Sequence, residues 1–202
     1  MIAIVRNCWP LFEIEHQFAA ENARTGARSC WLAYTIVVII YFLRHASAGK
    51  IKLPGKKDEK RPLDKKGEKQ CKEMGRLLFK LKVKPDAFIS SPLTRAVQTA
   101  ELVAEQIKFT ADITLSDALR PDASYDEFQE LLHQFQESKS IIIVGHNPNF
   151  SEFLSLLITK GADKKAIEMK KGAVAKLEPI NGRYQLTWCV TPGLIRDAHR
   201  HS

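Results

Sequence analysis

Cysteine is scarce: four residues in 202, at positions 8, 30, 71 and 189. No two stand in C-x-x-C spacing, which excludes the common zinc and dithiol redox motifs, and the spacing builds no disulfide framework. Reduced thiols in a cytosolic compartment are the expectation. Long apolar runs are missing as well. The longest, residues 31–43 (WLAYTIVVIIYFL), has 13 residues, against about 20 for a membrane-crossing helix. A secretory leader is not expected either: three arginines and three glutamates precede the run, so the segment before it carries no net basic charge. The run's β-branched core, Val37 to Ile40, reads as a buried strand. Internal repeats and low-complexity tracts are also absent, which excludes solenoids and fibres. What remains is ordinary globular usage, 45% hydrophobic and 27% charged, in a chain long enough to bury a core without staples.

Acidic residues are under-represented in one place. The net charge is +8, yet residues 50–84 hold 14 lysines and arginines against 5 acidic residues. The remainder is close to neutral. Such a segment steers anionic partners or forms a solvated lysine-rich face. No nucleic-acid motif accompanies it.

From Thr35 onward, strand and helix patterns alternate. Strands are expected at 35–43, 87–90, 113–115 and 141–144, and a final pair at 173–178 and 184–190 joined by the Asn181-Gly182 turn. Helices are expected at 65–82, with Cys71, Met74, Leu78 and Leu81 inward, and after Ser91-Pro92, read as N-cap and first helical residue. The second of these is expected to bury Leu93, Val97, Ala100, Val103, Ala104 and Ile107. Further helices are expected after a Ser124/Glu127 capping box and over 149–159. This order implies an α/β fold, a mostly parallel sheet covered on both faces.

Ligands of such folds bind beyond the carboxyl ends of the strands. Arg44-His45 follows the first strand. Ser91, and Arg95 one turn on, follow the second. His146 follows the strand at 141–144. No acidic residue occupies these strand-end positions. Each residue alone has an ordinary structural reading. Together, two arginines and two histidines suit a phosphoryl group. Guanidinium forks match phosphate oxygens, and imidazole can attack phosphorus.

The segments that carry these residues resemble a known family. They are Tyr41-Phe42-Leu43-Arg44-His45-Ala46, Arg61-Pro62-Leu63 followed by Gly67, Ser90-Ser91-Pro92-Leu93-Thr94-Arg95-Ala96-Val97-Gln98-Thr99-Ala100, and Val144-Gly145-His146-Asn147-Pro148. Trp188 and Thr191-Pro192 add to the likeness. The pattern resembles the histidine phosphatase superfamily and, within it, the SixA-like phosphohistidine phosphatases. That resemblance implies a three-layer αβα domain, phosphoglycerate mutase-like, over residues 38–202. It implies His45 as the phosphorylated nucleophile, with Arg44, Arg95 and His146 holding the phosphoryl group, and no metal or cofactor.

Superfamily members often supply a carboxylic acid from the loop after the Arg95 helix. Here Asp122 is the candidate, with turn or capping duty as the competing reading. SixA-like members are similarly short there. A phosphohistidine leaves as imidazole once its ring is protonated, whereas an ester needs an acid. The resemblance therefore implies a phosphohistidine on a signalling protein, a histidine phosphotransfer domain or phosphocarrier of a two-component or phosphotransferase system. A broad phosphatase for small esters and a phosphoprotein-binding module without turnover are the alternatives. The basic segment is expected to dock the acidic partner, so that neutralising Lys56, Lys57 and Lys60 slows turnover of the protein but not of a small phosphoramidate. A cytoplasmic monomer, free of membrane and nucleic acid, is expected. Residues 1–37 have no counterpart in the family pattern. A mis-set start, with a GTG initiator near Val38 read as valine, is expected over an extension for docking or a membrane.

Overall fold

The structure is a computed structural model that describes residues 38–49 and 58–200. The segment 1–37, Lys56 and Lys57 lie outside the described residues.

The hydrophobic run continues into β1, Ile39–Arg44. Both its faces are buried: Ile40 and Phe42 point to one side, Tyr41 and Leu43 to the other. Such a strand belongs in the middle of a sheet. It pairs in parallel with β4 (Ser140–Gly145), which pairs in parallel with β2 (Ala87–Ser90), and β2 with the short β3 (Thr114–Leu115). On its other side β1 meets β5 (Val174–Ile180) antiparallel, and β5 meets β6 (Arg183–Val190). The sheet order is β3-β2-β4-β1-β5-β6. Asn181 (φ 51°) and Gly182 (φ 69°) are both left-handed, as the tight β5–β6 hairpin requires.

Helices cover both faces. On one lie α1 (Lys65–Lys80) and α2 (Thr94–Ile107), over Leu43, Phe88, Ile142 and Val144. On the other lie α3 (Tyr125–Gln134) and α4 (Asn149–Thr159), over Phe42, Ile89, Ile141 and Ile143. Alternate residues of each strand thus feed separate cores. The capping box at Ser124 and Glu127 is present, with the Ser124 hydroxyl accepting from the Glu127 amide at 3.2 Å. The expected three-layer α/β architecture is the observed one.

Four local expectations are corrected. The chain does not close on strands: α5, Pro192–Arg200, follows β6 and ties to α1 through Arg196–Glu73 at 3.2 Å. Leu81 is half exposed, because α1 ends at Lys80 and Leu81 is its C-cap. The helix after Ser91-Pro92 begins at Thr94 and has no side-chain cap; the Ser91 hydroxyl is engaged elsewhere. Val97 is only half-buried. The inner face of α2 instead runs through Arg95, Ala96, Thr99, Ala100 and Val103, because one polar edge of the helix is turned toward the strand ends. Among the described residues no helix is long and apolar enough to cross a membrane.

Candidate active site

The sheet register builds the site. Arg44 pairs with Gly145, and Ser90 with Val144, so the residues that follow β1, β2 and β4 emerge at one level. The His45 amide donates to the Gly145 carbonyl at 3.1 Å, and the Ser91 amide to the Val144 carbonyl at 2.9 Å. His45 and His146 come within 4.8 Å, ring centre to ring centre. Both are buried, as is Arg95, and Arg44 is half-buried.

Each side chain is held by identifiable partners. His45 Nδ1–H donates to its neighbour's carbonyl, Ala46 O, at 2.7 Å. That leaves Nε2 as the nitrogen with a free lone pair. The Ala46 amide donates to Thr99 Oγ1 (3.1 Å), and the Thr99 hydroxyl donates to the Arg95 carbonyl (2.7 Å), which fastens the loop after His45 to α2. Arg44 Nη1 donates to the Met169 carbonyl at 2.6 Å, and Asn147 Nδ2 donates to the same oxygen at 3.2 Å. Arg95 Nη1 meets the Asp58 carbonyl at 3.1 Å and its carboxylate at 3.3 Å. Asp58 also pairs with Arg61 at 3.0 Å. Four buried nitrogens find no hydrogen-bond partner among the described residues: Arg44 Nε, Arg61 Nε, Arg95 Nε and His146 Nδ1; of these, Arg61 Nε still has the Asp58 carboxylate 3.0 Å away as an ion pair.

The loop after His45 is clamped from below by α1. The Asp64 carboxylate caps α1, accepting from the Gly67 amide at 2.7 Å, and accepts from the Ser47 hydroxyl at 2.8 Å. The Ser47 amide donates to Gln70 Oε1 at 2.9 Å. Gly67 passes so close that a Cβ there would lie 2.0 Å from the Ser47 carbonyl oxygen. Gly67→Ala is therefore expected to destabilise the fold by on the order of 2–3 kcal/mol and to lower turnover by shifting the loop. Urea denaturation with a parallel rate measurement checks this. An unchanged midpoint would show that the loop yields freely.

The model of the histidine phosphatase superfamily (branch 1) matches residues 40–137. Residues 40–137 belong to the histidine phosphatase superfamily. An uncharacterized protein of Picosynechococcus is 28% identical over 148 residues, 72% of this chain and 88% of its own length. The solved structure of the protein histidine phosphatase SixA complexed with tungstate superposes with a TM-score of 0.70 at 20% identity, over 78% of this chain and 99% of that one. A SixA protein of Agrobacterium tumefaciens, named as a phosphohistidine phosphatase, reaches 0.67 at 26% identity, over 77% and 98%. An Escherichia coli protein named as an alpha-ribazole-5'-P phosphatase reaches 0.63 at 17%, over 77% and 97%. The coarse activity that goes with this family is phosphatase hydrolysis.

In this histidine phosphatase fold the electrostatics keep both imidazoles neutral. Burial, then the charges of Arg95, Arg44 and Lys171, lower the His45 pKa to about 3; the Ala46 carbonyl opposes them. Burial, then His45, Arg95, Arg44 and Arg120, lower that of His146 to about 2. Burial lowers the Arg44 and Arg95 pKa values as well, offset in part by Glu168 and by Asp58 respectively. From a normal value near 12.5, guanidinium stays charged at neutral pH. The site is thus two fixed cations around two neutral rings.

The four residues named from the sequence, Arg44, His45, Arg95 and His146, come together. Asp122 stands apart, its side chain 79% exposed and 3.7 Å from Arg120. Arg120 in turn holds Glu59 at 2.5 Å. Three contributors went unread in the sequence. Asp58 is a carboxylate brought to Arg95 from a distant helical turn, Asp58–Lys60. Lys171 adds positive charge from the segment whose Gly172 amide donates to the Arg44 and His45 carbonyls. Neither has a local signal, since only the tertiary fold delivers it. Ser91 did have one, its place just after a strand, but it was assigned to a helix cap.

Ser91 bears on the tautomer of His146. Its hydroxyl oxygen accepts from the Leu93 amide (3.4 Å) and lies 2.9 Å from His146 Nε2. With the hydroxyl proton donated to Nε2, the ring proton lies on Nδ1, the buried nitrogen without a protein hydrogen-bond partner. Ser91→Ala is expected to lower kcat about tenfold by mixing the tautomers, with KM little changed. Unaltered kcat would assign the proton to Nε2.

Proposed function

We propose that this chain is a phosphohistidine phosphatase that works through a phosphorylated His45. The observation that carries the reading is the pairing of a bare His45 Nε2 with unsatisfied donors around it: Arg44 Nε, Arg95 Nε and His146 Nδ1. A buried polar donor without a partner is costly, and three phosphoryl oxygens would satisfy all three. The 26% identity with the Agrobacterium SixA protein supports the same substrate class.

In this mechanism the Nε2 lone pair forms an N–P bond while the substrate's own N–P bond breaks. The substrate ring leaves as neutral imidazole, provided its other nitrogen is protonated. Arg44, Arg95 and His146 follow the equatorial oxygens as charge redistributes. His45 keeps its Nδ1 proton on the Ala46 carbonyl, so the phosphorylated ring is cationic and itself a good leaving group. Water then attacks phosphorus, the His45–P bond breaks, and phosphate departs with the water's proton lost to solvent. No step requires an acid at Asp122.

The test compares kcat/KM on phosphoramidate and on a histidine-phosphorylated phosphotransfer domain with that on a sugar phosphate. Both N–P substrates are expected to exceed the ester by at least about 100-fold, because the ester leaves as an alkoxide without acid assistance. Comparable rates would favour the broad ester phosphatase, a reading that the alpha-ribazole-5'-P phosphatase neighbour keeps in play. Binding without turnover on all three would leave a phosphoprotein-binding module.

A further inference from the structure

We propose that the outward face of α1 is the docking surface for an acidic protein, the one whose phosphohistidine enters the pocket; this rests on the substrate reading above. Lys65, Lys69, Lys72, Arg76 and Lys80 are all exposed. Their spacing of four, three, four and four residues places them within about 80° of one another around the helix, on one stripe about 22 Å long. Phe79, 48% exposed, sits on the edge of the same stripe at its far end.

Little inside the described protein answers this charge. Lys69 faces Glu73 at 3.9 Å, and Glu73 is shared with Arg196 at 3.2 Å. No other ion pair involves the stripe among the described residues. The stripe also has a defined origin. Its first lysine follows Asp64, the cap that holds the loop after His45 through Ser47. A protein that presents a phosphorylated histidine to His45 therefore has α1 running away beneath it. Charge complementarity calls for acidic residues on that partner. The exposed aromatic at the end favours a folded protein surface over a bare polyanion, which gains little from Phe79.

Two peptides test this. They share one phosphohistidine core made with phosphoramidate; one continues into a helical glutamate-rich segment ending in leucine, the other has glutamine in place of each glutamate. Wild type is expected to turn over the glutamate peptide at least about tenfold more efficiently at low salt, an advantage that shrinks as salt rises. K69E/K72E/R76E should lose that advantage and still hydrolyse phosphoramidate at the wild-type rate, which also shows that it folds. K139E/K160E/K165E, equal in net charge but off the stripe, should keep it. A retained advantage in the stripe variant, or equal loss in both variants, overturns the proposal.

Fluorescence anisotropy with the unphosphorylated glutamate peptide separates docking from substrate class. Stripe-dependent binding without hydrolysis of phosphohistidine upholds docking and rejects the substrate reading. Hydrolysis without stripe-dependent binding does the reverse. Tighter stripe-dependent binding of a single-stranded oligonucleotide, or of phosphatidylserine vesicles, also overturns an acidic protein as the occupant.

Discussion

His45→Ala is expected to lose at least about 10⁴-fold in turnover and to form no covalent adduct. His45 lies at the floor of the site, 6% exposed, with Nδ1 committed to the Ala46 carbonyl, so Nε2 is the nitrogen open to phosphorus. Arginine is always protonated and has no lone pair to offer. His146 has its Nε2 against Ser91, and with Ser91 donating there its remaining nitrogen carries the proton. Brief mixing of wild type with ³²P-labelled phosphohistidine protein should trap label that survives alkali and is lost in acid, the behaviour of an N–P bond. His146→Ala should still take up label, about 10²–10³ times more slowly, because it removes one donor to the phosphoryl oxygens and not the nucleophile. Label in the His45 variant, or none in wild type during turnover, would place the attack elsewhere or make it direct hydrolysis by water.

The legible part of this site was the part written in strand ends. β1, β2 and β4 each announce themselves as short apolar runs, and parallel pairing brings whatever follows them to one edge. Arg44, His45 and His146 could be read from that rule alone, and Arg95 from the helix that follows β2. The unread part depends on tertiary geometry. Asp58 is 37 residues from the Arg95 it meets, and no periodicity links them. The Gly172 amide bridges to the Arg44 and His45 carbonyls because the segment after α4 runs back along that helix, Asp163 against Thr159, Ile167 against Ser155 and Met169 against Ser151, a path that local pattern does not encode. The helix α5 lies beyond the final strand pair that the pattern gives; it opens on Pro192, a residue well suited to a first helical turn. The rotation of α2 differs from the apolar pattern, which puts Val97 inward, because the helix turns Arg95 and Thr99 inward instead. Arg95 is 5% exposed, and its burial at a site is the exception to the hydrophobic-inside pattern.

The buried pair should also make the fold acid-sensitive above the carboxylate range. An unfolded histidine takes up its proton near pH 6.5, whereas in the folded protein His45 and His146 resist until about 3 and about 2. Between those limits the unfolded chain binds more protons than the folded one, so stability falls as pH falls and is fully regained about one unit above 6.5. Each histidine contributes a slope of up to about 1.4 kcal/mol per pH unit, and the pair about 2.7. From pH 6.5 to 5 the loss should therefore be on the order of 3 kcal/mol, because the slope is only half-developed at pH 6.5; that is a large share of a typical domain's stability. Carboxylates held below their usual range, Asp64 and Glu178 among them, act in the same direction only at lower pH, near about 4. Urea midpoints at pH 7, 6 and 5 are expected to fall steeply for wild type and much less for His45→Gln/His146→Gln, which keeps polar side chains but nothing that titrates at those two positions. Parallel curves for the two proteins would mean that the imidazoles are solvated and protonate normally. Activity should behave differently over the same interval: Nε2 keeps its lone pair at pH 5, so the rate per folded molecule does not drop through protonation of His45. The desolvation that holds this nitrogen ready for phosphorus is the one that acid turns against the fold.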